Sequence, residues 1–274
     1  SLMCKMLELT GWLAELRAQG VQVEFLDAPH VVRPQPQLFG SLHAAGEYGR
    51  ASYFGWGLNA QLAAGDKMSA EEEEGRAAAV SESVRHVERW IEQHAPISGI
   101  CGICGGALIA AAAAARSPSL QLFINFCSSP WELLPTGMDL DVPQSITMPS
   151  LHLLGRADQL LSTAQLLSVP SHCDSMTTLW HKGGHTVPPL DGGIKAALRR
   201  FLGAVIAADY SSQQGSHALR QQLTEAPSHD IAVSHAPPFA LPSARLAGTI
   251  GVEKLTRLLA DLPTDAACLV ELRS

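Results

Sequence analysis

Two features of this 274-residue sequence predict an α/β fold with a mostly parallel sheet covered by helices on both faces. Short apolar runs closed by Gly, Pro, Ser or Asp alternate with longer stretches of helical periodicity. With 46% hydrophobic residues over this length, the chain also has enough apolar side chain to bury one large core.

The elements follow in order. Leu2, Met6, Leu9, Leu13 and Leu16 recur at helical spacing, so the chain opens in a helix. It begins at Ser1 without Met and without a basic n-region or small-residue cleavage site, which predicts no export and a start further upstream. Residues 21–26 predict the first strand. At Ser69 a capping box with Glu72 opens a helix, and the acidic residues 71–74 sit where the helix dipole favours negative charge. Val80, Val84, Val87 and Ile91 supply its buried face. Strands are predicted at 97–103, 120–126, 150–154 and 177–180, and a last helix of this unit at 192–208. Residues 209–247 turn to Ser, Gln, His, Ala and Pro with little periodicity, which predicts an irregular linker. In the 248–274 extension, Val252, Leu255, Leu259 and Leu262 predict a helix, and 267–272 a strand of unassigned partner.

Composition excludes several functions. Nineteen Lys and Arg against 26 Asp and Glu give a net charge of −7, which repels polyanions, so no nucleic-acid partner is expected. Six scattered cysteines do not make a disulfide scaffold and fit a reducing, cytoplasmic setting. The stretch 97–115 carries no charge, with Gly102 and Gly106 at G-x-x-x-G spacing. It is mostly Ala and Gly, whereas insertion depends on Leu, Ile, Phe and Val, so no membrane span is expected there.

The same stretch carries the chemistry. A buried strand, a glycine-rich turn and a helix of very small side chains form the layout of a nucleophile elbow, G-x-Nu-x-G. Gly102 and Gly106 are its glycines and Cys104 its nucleophile. There the helix N-terminus favours thiolate over thiol, and the Gly105 amide would face a developing oxyanion. Asp158 follows the strand at 150–154, and His185 follows the strand at 177–180 and two glycines. The order nucleophile, acid, histidine, each past the carboxyl end of a strand, is that of a hydrolytic triad.

Five blocks in order then resemble the FSH family of serine hydrolases within the α/β-hydrolases, over roughly residues 1–205. They are Phe25 to His30, Tyr53-Phe54-Gly55-Trp56, the elbow, Leu151 through Asp158, and His181 to Pro188. The resemblance implies an esterase or thioesterase acting on small or medium acyl esters, without cofactor or metal, with a triad of Cys104, Asp158 and His185. It makes 1–208 an α/β-hydrolase-like domain. Two departures stand out. The family elbow reads G-F-S-Q-G, so Cys104 stands in place of Ser and the Gln is lost. The family's first strand and His-Gly loop, which would precede Ser1 and supply a second oxyanion amide, are missing, so the fold is expected to be N-terminally incomplete. Losing one such donor costs on the order of 10²–10³ in rate.

Two other classes compete. An α/β-hydrolase fold that has lost catalysis would be a binding module. Cys101 and Cys104 also form a C-x-x-C, the spacing of thiol-disulfide oxidoreductases, but Cys101 falls inside the strand and that reading explains neither Asp158 nor His185. A zinc site is weaker, since no second C-x-x-C exists and His181 and His185 share a glycine loop. Asp27 is expected to end a strand, His30 to bond locally, His152 to be a satisfied strand histidine, and Trp56 to pack in the core or line an acyl pocket. His217, His229 and His235 lie too far apart for a metal site.

Overall fold

The computed structural model describes residues 2–32, 53–58, 68–212 and 269–273. Its strands are β1 (Gln22–Leu26), β2 (His30–Val32), β3 (Tyr53–Gly55), β4 (Gly99–Ile103), β5 (Leu122–Phe126), β6 (Ile146–Gly155), β7 (Cys173–His181) and β8 (Leu269–Arg273). Its helices are α1 (Leu2–Leu9), α2 (Trp12–Ala18), α3 (Ala70–Gln93), α4 (Cys104–Arg116), α5 (Thr163–Leu166), α6 (Ser168–Ser171) and α7 (Gly192–Ser212). Six strands form one sheet in the order β1-β8-β4-β5-β6-β7, and β2 pairs β3 in a separate ribbon. The run β4-β5-β6-β7 is parallel throughout, while β8 is antiparallel to both of its neighbours.

The alternation of buried residues along the strands divides the core in two. Cys101, Ile103, Leu122, Ile124, Leu151 and Leu153 pack under α1, α2 and α7. Ile100, Phe123, Ile146 and Met148 pack with α3 and α4 on the other side. Helices therefore cover both faces, giving the α/β fold that the alternation predicts and the α/β-hydrolase-like architecture that the resemblance implies. The capping box forms as read: Ser69 Oγ accepts from the Glu72 amide and Glu72 accepts from the Ser69 amide. Val80, Val84 and Val87 are fully buried.

The opening pattern folds as two helices instead of one. At Gly11, φ is 85° and the chain turns, which carries Trp12 into the core. The strands at 150–154 and 177–180 extend to Ile146–Gly155 and Cys173–His181 because the two pair with each other along most of their length. Strand β8 finds its partners in β1 and β4. The helix at 252–262 and His217, His229 and His235 lie outside the described residues. Among the described residues no helix is long and apolar enough to cross a membrane. The uncharged stretch 97–115 is cut at Ile103, where strand gives way to helix.

The remaining histidines resolve by partner. His152 is fully buried: Asn125 Nδ2 donates to Nδ1 at 3.0 Å, and Nε2 meets Ser150 Oγ at 2.9 Å. Ser150 Oγ passes the chain on to the Ser175 carbonyl, so the histidine is satisfied as a neutral group. His30 bonds across the fold rather than locally: its Nε2 meets the Ala79 carbonyl of α3 at 2.9 Å, because β2 runs against that helix. Trp56 is a core residue with no exposed surface.

Burial holds two imidazoles neutral. Desolvation pushes His152 down to about 3 and His181 down to about 4, the latter against the pull of Asp158 and Asp191. Both side chains regain an ordinary histidine pKa of ~6.5 on unfolding, so the unfolded chain binds more protons below that pH. Stability that is fully present above about pH 6.5 is lost as pH falls toward 4, with a slope of up to ~1.4 kcal/mol per pH unit for each group. Urea unfolding at several pH values should show that slope, and His152→Gln should remove about half of it. An unchanged slope in the variant would contradict the assignment.

Candidate active site

Each candidate side chain sits just beyond the carboxyl end of a parallel strand. Cys104 follows β4 directly as the first residue of α4, Asp158 lies three residues past β6, and His185 four residues past β7. No side chain caps α4: its N-cap is Ile103 in extended conformation, followed by Cys104 at φ 54°. A non-glycine residue in the left-handed region is strained by about 1–3 kcal/mol and persists only where its surroundings enforce it. Here the enforcement is the close packing of α4 on the strand that feeds it. A Cβ on Gly102 would lie 2.6 Å from Ala107 Cα and 2.7 Å from its amide nitrogen, so only glycine lets the turn close. We expect Gly102→Ala to destabilise the fold by about 2–3 kcal/mol, read as a shift in the urea midpoint. A midpoint within error of the parent's would show the elbow packing to be looser than drawn.

A second close approach places the histidine. At the end of β6, a Cβ on Gly155 would lie 2.7 Å from the Gly183 carbonyl oxygen and 2.8 Å from the Gly184 carbonyl carbon. The Arg156 amide donates to the His181 carbonyl and the Ala157 amide to the Gly183 carbonyl, at 2.8 and 3.0 Å. Farther along, Trp12 Nε1 donates to the Pro188 carbonyl at 2.8 Å, and the Leu190 amide to the Thr10 carbonyl at 2.9 Å. The loop is thus held at one end by β6 and at the other by the turn between α1 and α2.

This loop brings His185 onto Asp158. His185 Nδ1 and Asp158 Oδ2 are 2.7 Å apart, with side chains 6% and 1% exposed. The second oxygen, Oδ1, accepts the amides of Leu160 and Leu161 at 2.9 and 3.0 Å, so the carboxylate is fixed in orientation. Burial raises the Asp158 pKa, but the His185 hydrogen bond and these amides outweigh it and leave the group below the usual carboxylate range. Burial likewise pulls the His185 imidazole down. The Cys104 charge and the Asp158 hydrogen bond outweigh that and hold it up at about 10. Asp158 holds Nδ1, and Nε2 is buried without a hydrogen-bond partner.

Gly102, Gly106, Cys104, Asp158 and His185 therefore all stand at the carboxyl-end rim of the parallel strands, with Asp158 and His185 in contact. Gly105, the second residue of α4, has one of the first-turn N–H groups that a helix leaves without an intrahelical acceptor. Cys101 does not join them. It is buried in β4, and desolvation pushes its thiol far up. Two residues that sequence reasoning missed do join. Ser129 Oγ lies 3.9 Å from Cys104 Sγ, and its amide donates to the Cys104 carbonyl at 3.1 Å. Cys127, at φ 45° just past β5, points its Sγ at the Leu153 carbonyl at 3.5 Å. One ligand atom from each of Cys127, Asp158 and His185 lies within 4.8 Å of the others. Only strand register could have revealed Cys127 and Ser129, since nothing in their local sequence marks them.

Residues 5–196 match the family model "Serine hydrolase (FSH1)". The mouse esterase OVCA2 is 28% identical over 189 residues, covering 66% of this chain and 82% of the mouse protein. The human esterase OVCA2 is 27% identical over 194 residues, with the same coverage. Among solved structures, a Bacillus cereus carboxylesterase superposes with a TM-score of 0.36 at 14% identity, over 70% of this chain and 98% of that one. The family model covers well over half of the sequence, and the chain belongs to the FSH1 serine hydrolase family.

Proposed function

We propose that this protein hydrolyses acyl esters or thioesters of small molecules through a covalent acyl-enzyme formed on Cys104. Membership of a serine hydrolase family with esterase relatives supports ester hydrolysis as the activity. The observation that carries the finer reading is the 2.7 Å contact between His185 Nδ1 and a buried Asp158, with the imidazole acted on by the Cys104 sulfur. His185 Nε2, the other ring nitrogen, is buried without a hydrogen-bond partner, which a purely structural ion pair does not call for.

In the proposed mechanism Cys104 and His185 work as a thiolate–imidazolium pair, with Asp158 fixing the tautomer and stabilising the cation. The thiolate attacks the acyl carbon, and the oxyanion forms against the Gly105 amide at the start of α4. His185 then donates its Nε2 proton to the departing alcohol or thiol. Water, activated by the neutral imidazole, attacks the thioester and releases the acid. Turnover should fall as pH rises through about 10, where the imidazolium is lost. The unit carrying this chemistry is residues 1–208 together with β8 of the 248–274 segment, which fills the sheet between β1 and β4. A reducing, cytoplasmic setting, supported by the scattered cysteines, belongs to the same reading.

The test is covalent labelling with a thiol-reactive acyl probe, followed by peptide mapping. Cys104 should be acylated far faster than half-buried Cys4, and a His185→Gln substitution should remove the difference. Equal labelling of the two cysteines, with no hydrolysis by the parent or by Cys104→Ser across a panel of esters, would leave a binding module as the better account.

A further inference from the structure

We propose that Cys104 and Cys127 form a reversible redox pair, in which a hydroperoxide oxidises Cys104 and Cys127 then closes a disulfide onto it. That the disulfide blocks catalysis rests on the reading of Cys104 as nucleophile; the disulfide itself does not.

Three observations carry this. First, Ile103 and Phe126 are paired at the ends of the parallel strands β4 and β5, and the residue that follows each strand is a cysteine. Paired strands run ~4.8 Å apart, and a disulfide spans Cα atoms ~4.4–6.8 Å apart. The Ser129 amide, bonded to the Cys104 carbonyl, keeps the two strand ends together past the last pair. Second, both cysteines are in the left-handed region, at φ 54° and 45°, which takes both side chains off the alternation of their strands. They are the described non-glycine residues with positive φ. Third, Cys127 offers its sulfur within 4.8 Å of ligand atoms of Asp158 and of His185, the histidine whose protonation the Cys104 charge also favours.

Hydrolysis uses Cys127 for nothing. Its thiol is fully buried, and desolvation pushes it up to about 12, so it is inert while Cys104 is reduced. Oxidation changes that. The Cys104 thiolate attacks the terminal oxygen of a hydroperoxide, the O–O bond breaks, and the alkoxide or hydroxide takes the proton of the His185 imidazolium and leaves as alcohol or water. Cys104 is now a neutral sulfenic acid. The negative charge that helped keep His185 protonated is gone, so the imidazole becomes free to act as a base. It takes the Cys127 proton, the new thiolate attacks the Cys104 sulfur, and the S–O bond breaks. The departing hydroxide collects the proton from His185 and leaves as water. Two thiols and one peroxide have become a disulfide, water and an alcohol, or two waters from hydrogen peroxide. A dithiol reverses it by exchange, whereas an unprotected sulfenic acid goes on to sulfinic acid and is lost.

The experiment treats the full chain with a small excess of hydrogen peroxide, alkylates the remaining thiols and digests with trypsin. Arg116 lies between the two cysteines, so a disulfide appears as a cross-linked peptide pair. Expected are a protein lighter by two hydrogens, the Cys104–Cys127 pair, and full recovery of both thiols and of ester hydrolysis with dithiothreitol. In Cys127→Ser and Cys127→Ala the same treatment should carry Cys104 to sulfinic acid, which dithiothreitol does not reverse. Sulfinic acid on Cys104 of the parent protein at the rate seen in those variants, or a disulfide from Cys104 to any other cysteine, overturns the proposal. A Cys104–Cys127 disulfide in a protein without ester hydrolysis would sustain the redox pair and remove the hydrolase reading. Hydrolysis lost to peroxide without that disulfide would do the reverse.

Discussion

Cys104→Ala should lower kcat/KM for acyl esters by at least ~10⁴-fold, because the thiolate is the atom that bonds to substrate and no other described group replaces it. Removing one sulfur from a packed turn should leave the fold intact, since Gly102 and Ala107 make the closest approach at the elbow. A second readout separates chemistry from folding. The His185 imidazole is held at about 10 against burial, in part by the Cys104 charge, so in Cys104→Ala its titration should move down. Histidine resonances followed by NMR across the pH range check this. Cys104→Ser should keep a reduced but measurable rate, because the hydroxyl occupies the same place beside the same base. Full activity in Cys104→Ala would remove the residue from the mechanism.

Asp158→Asn is the second large effect, with an expected loss of ~10⁴-fold in kcat and little change in KM. The amide can still accept the Leu160 and Leu161 amides through its oxygen, so the loop geometry should survive. It cannot stabilise the imidazolium or hold Nδ1 as a donor if its NH₂ faces the ring. Stopped-flow kinetics with an activated ester separate kcat from KM. A tenfold loss or less, with the His185 titration unmoved, would show the carboxylate to be structural.

The candidate site is legible in the sequence because each of its residues follows a strand whose apolar run is plain. In a parallel sheet, following a strand means standing on the same rim, so chain order alone proposes Cys104, Asp158 and His185 as neighbours, and Asp158 and His185 do meet. What was hidden depends on pairing across the chain. Nothing local in 269–273 says that β8 lies between β1 and β4, because an edge and a central strand of five residues read alike. Cys127 was passed over for the same reason: its neighbour Cys104 is 23 positions away and is reached only through the β4–β5 register. The break at Gly11 was masked by apolar residues that keep helical spacing across it. The buried chain Asn125, His152, Ser150 was half legible, since strand alternation points His152 inward but does not name its partners.

Whether sulfur, imidazole and carboxylate act as one unit is decided by a mutant cycle on kcat/KM with Cys104→Ala, His185→Ala and the two combined. In a single catalytic unit the combined variant loses no more than the worse of the two single ones, since either substitution alone disables the nucleophile. Losses that multiply in the combined variant would mean that the two residues contribute separately, and the triad would be wrong.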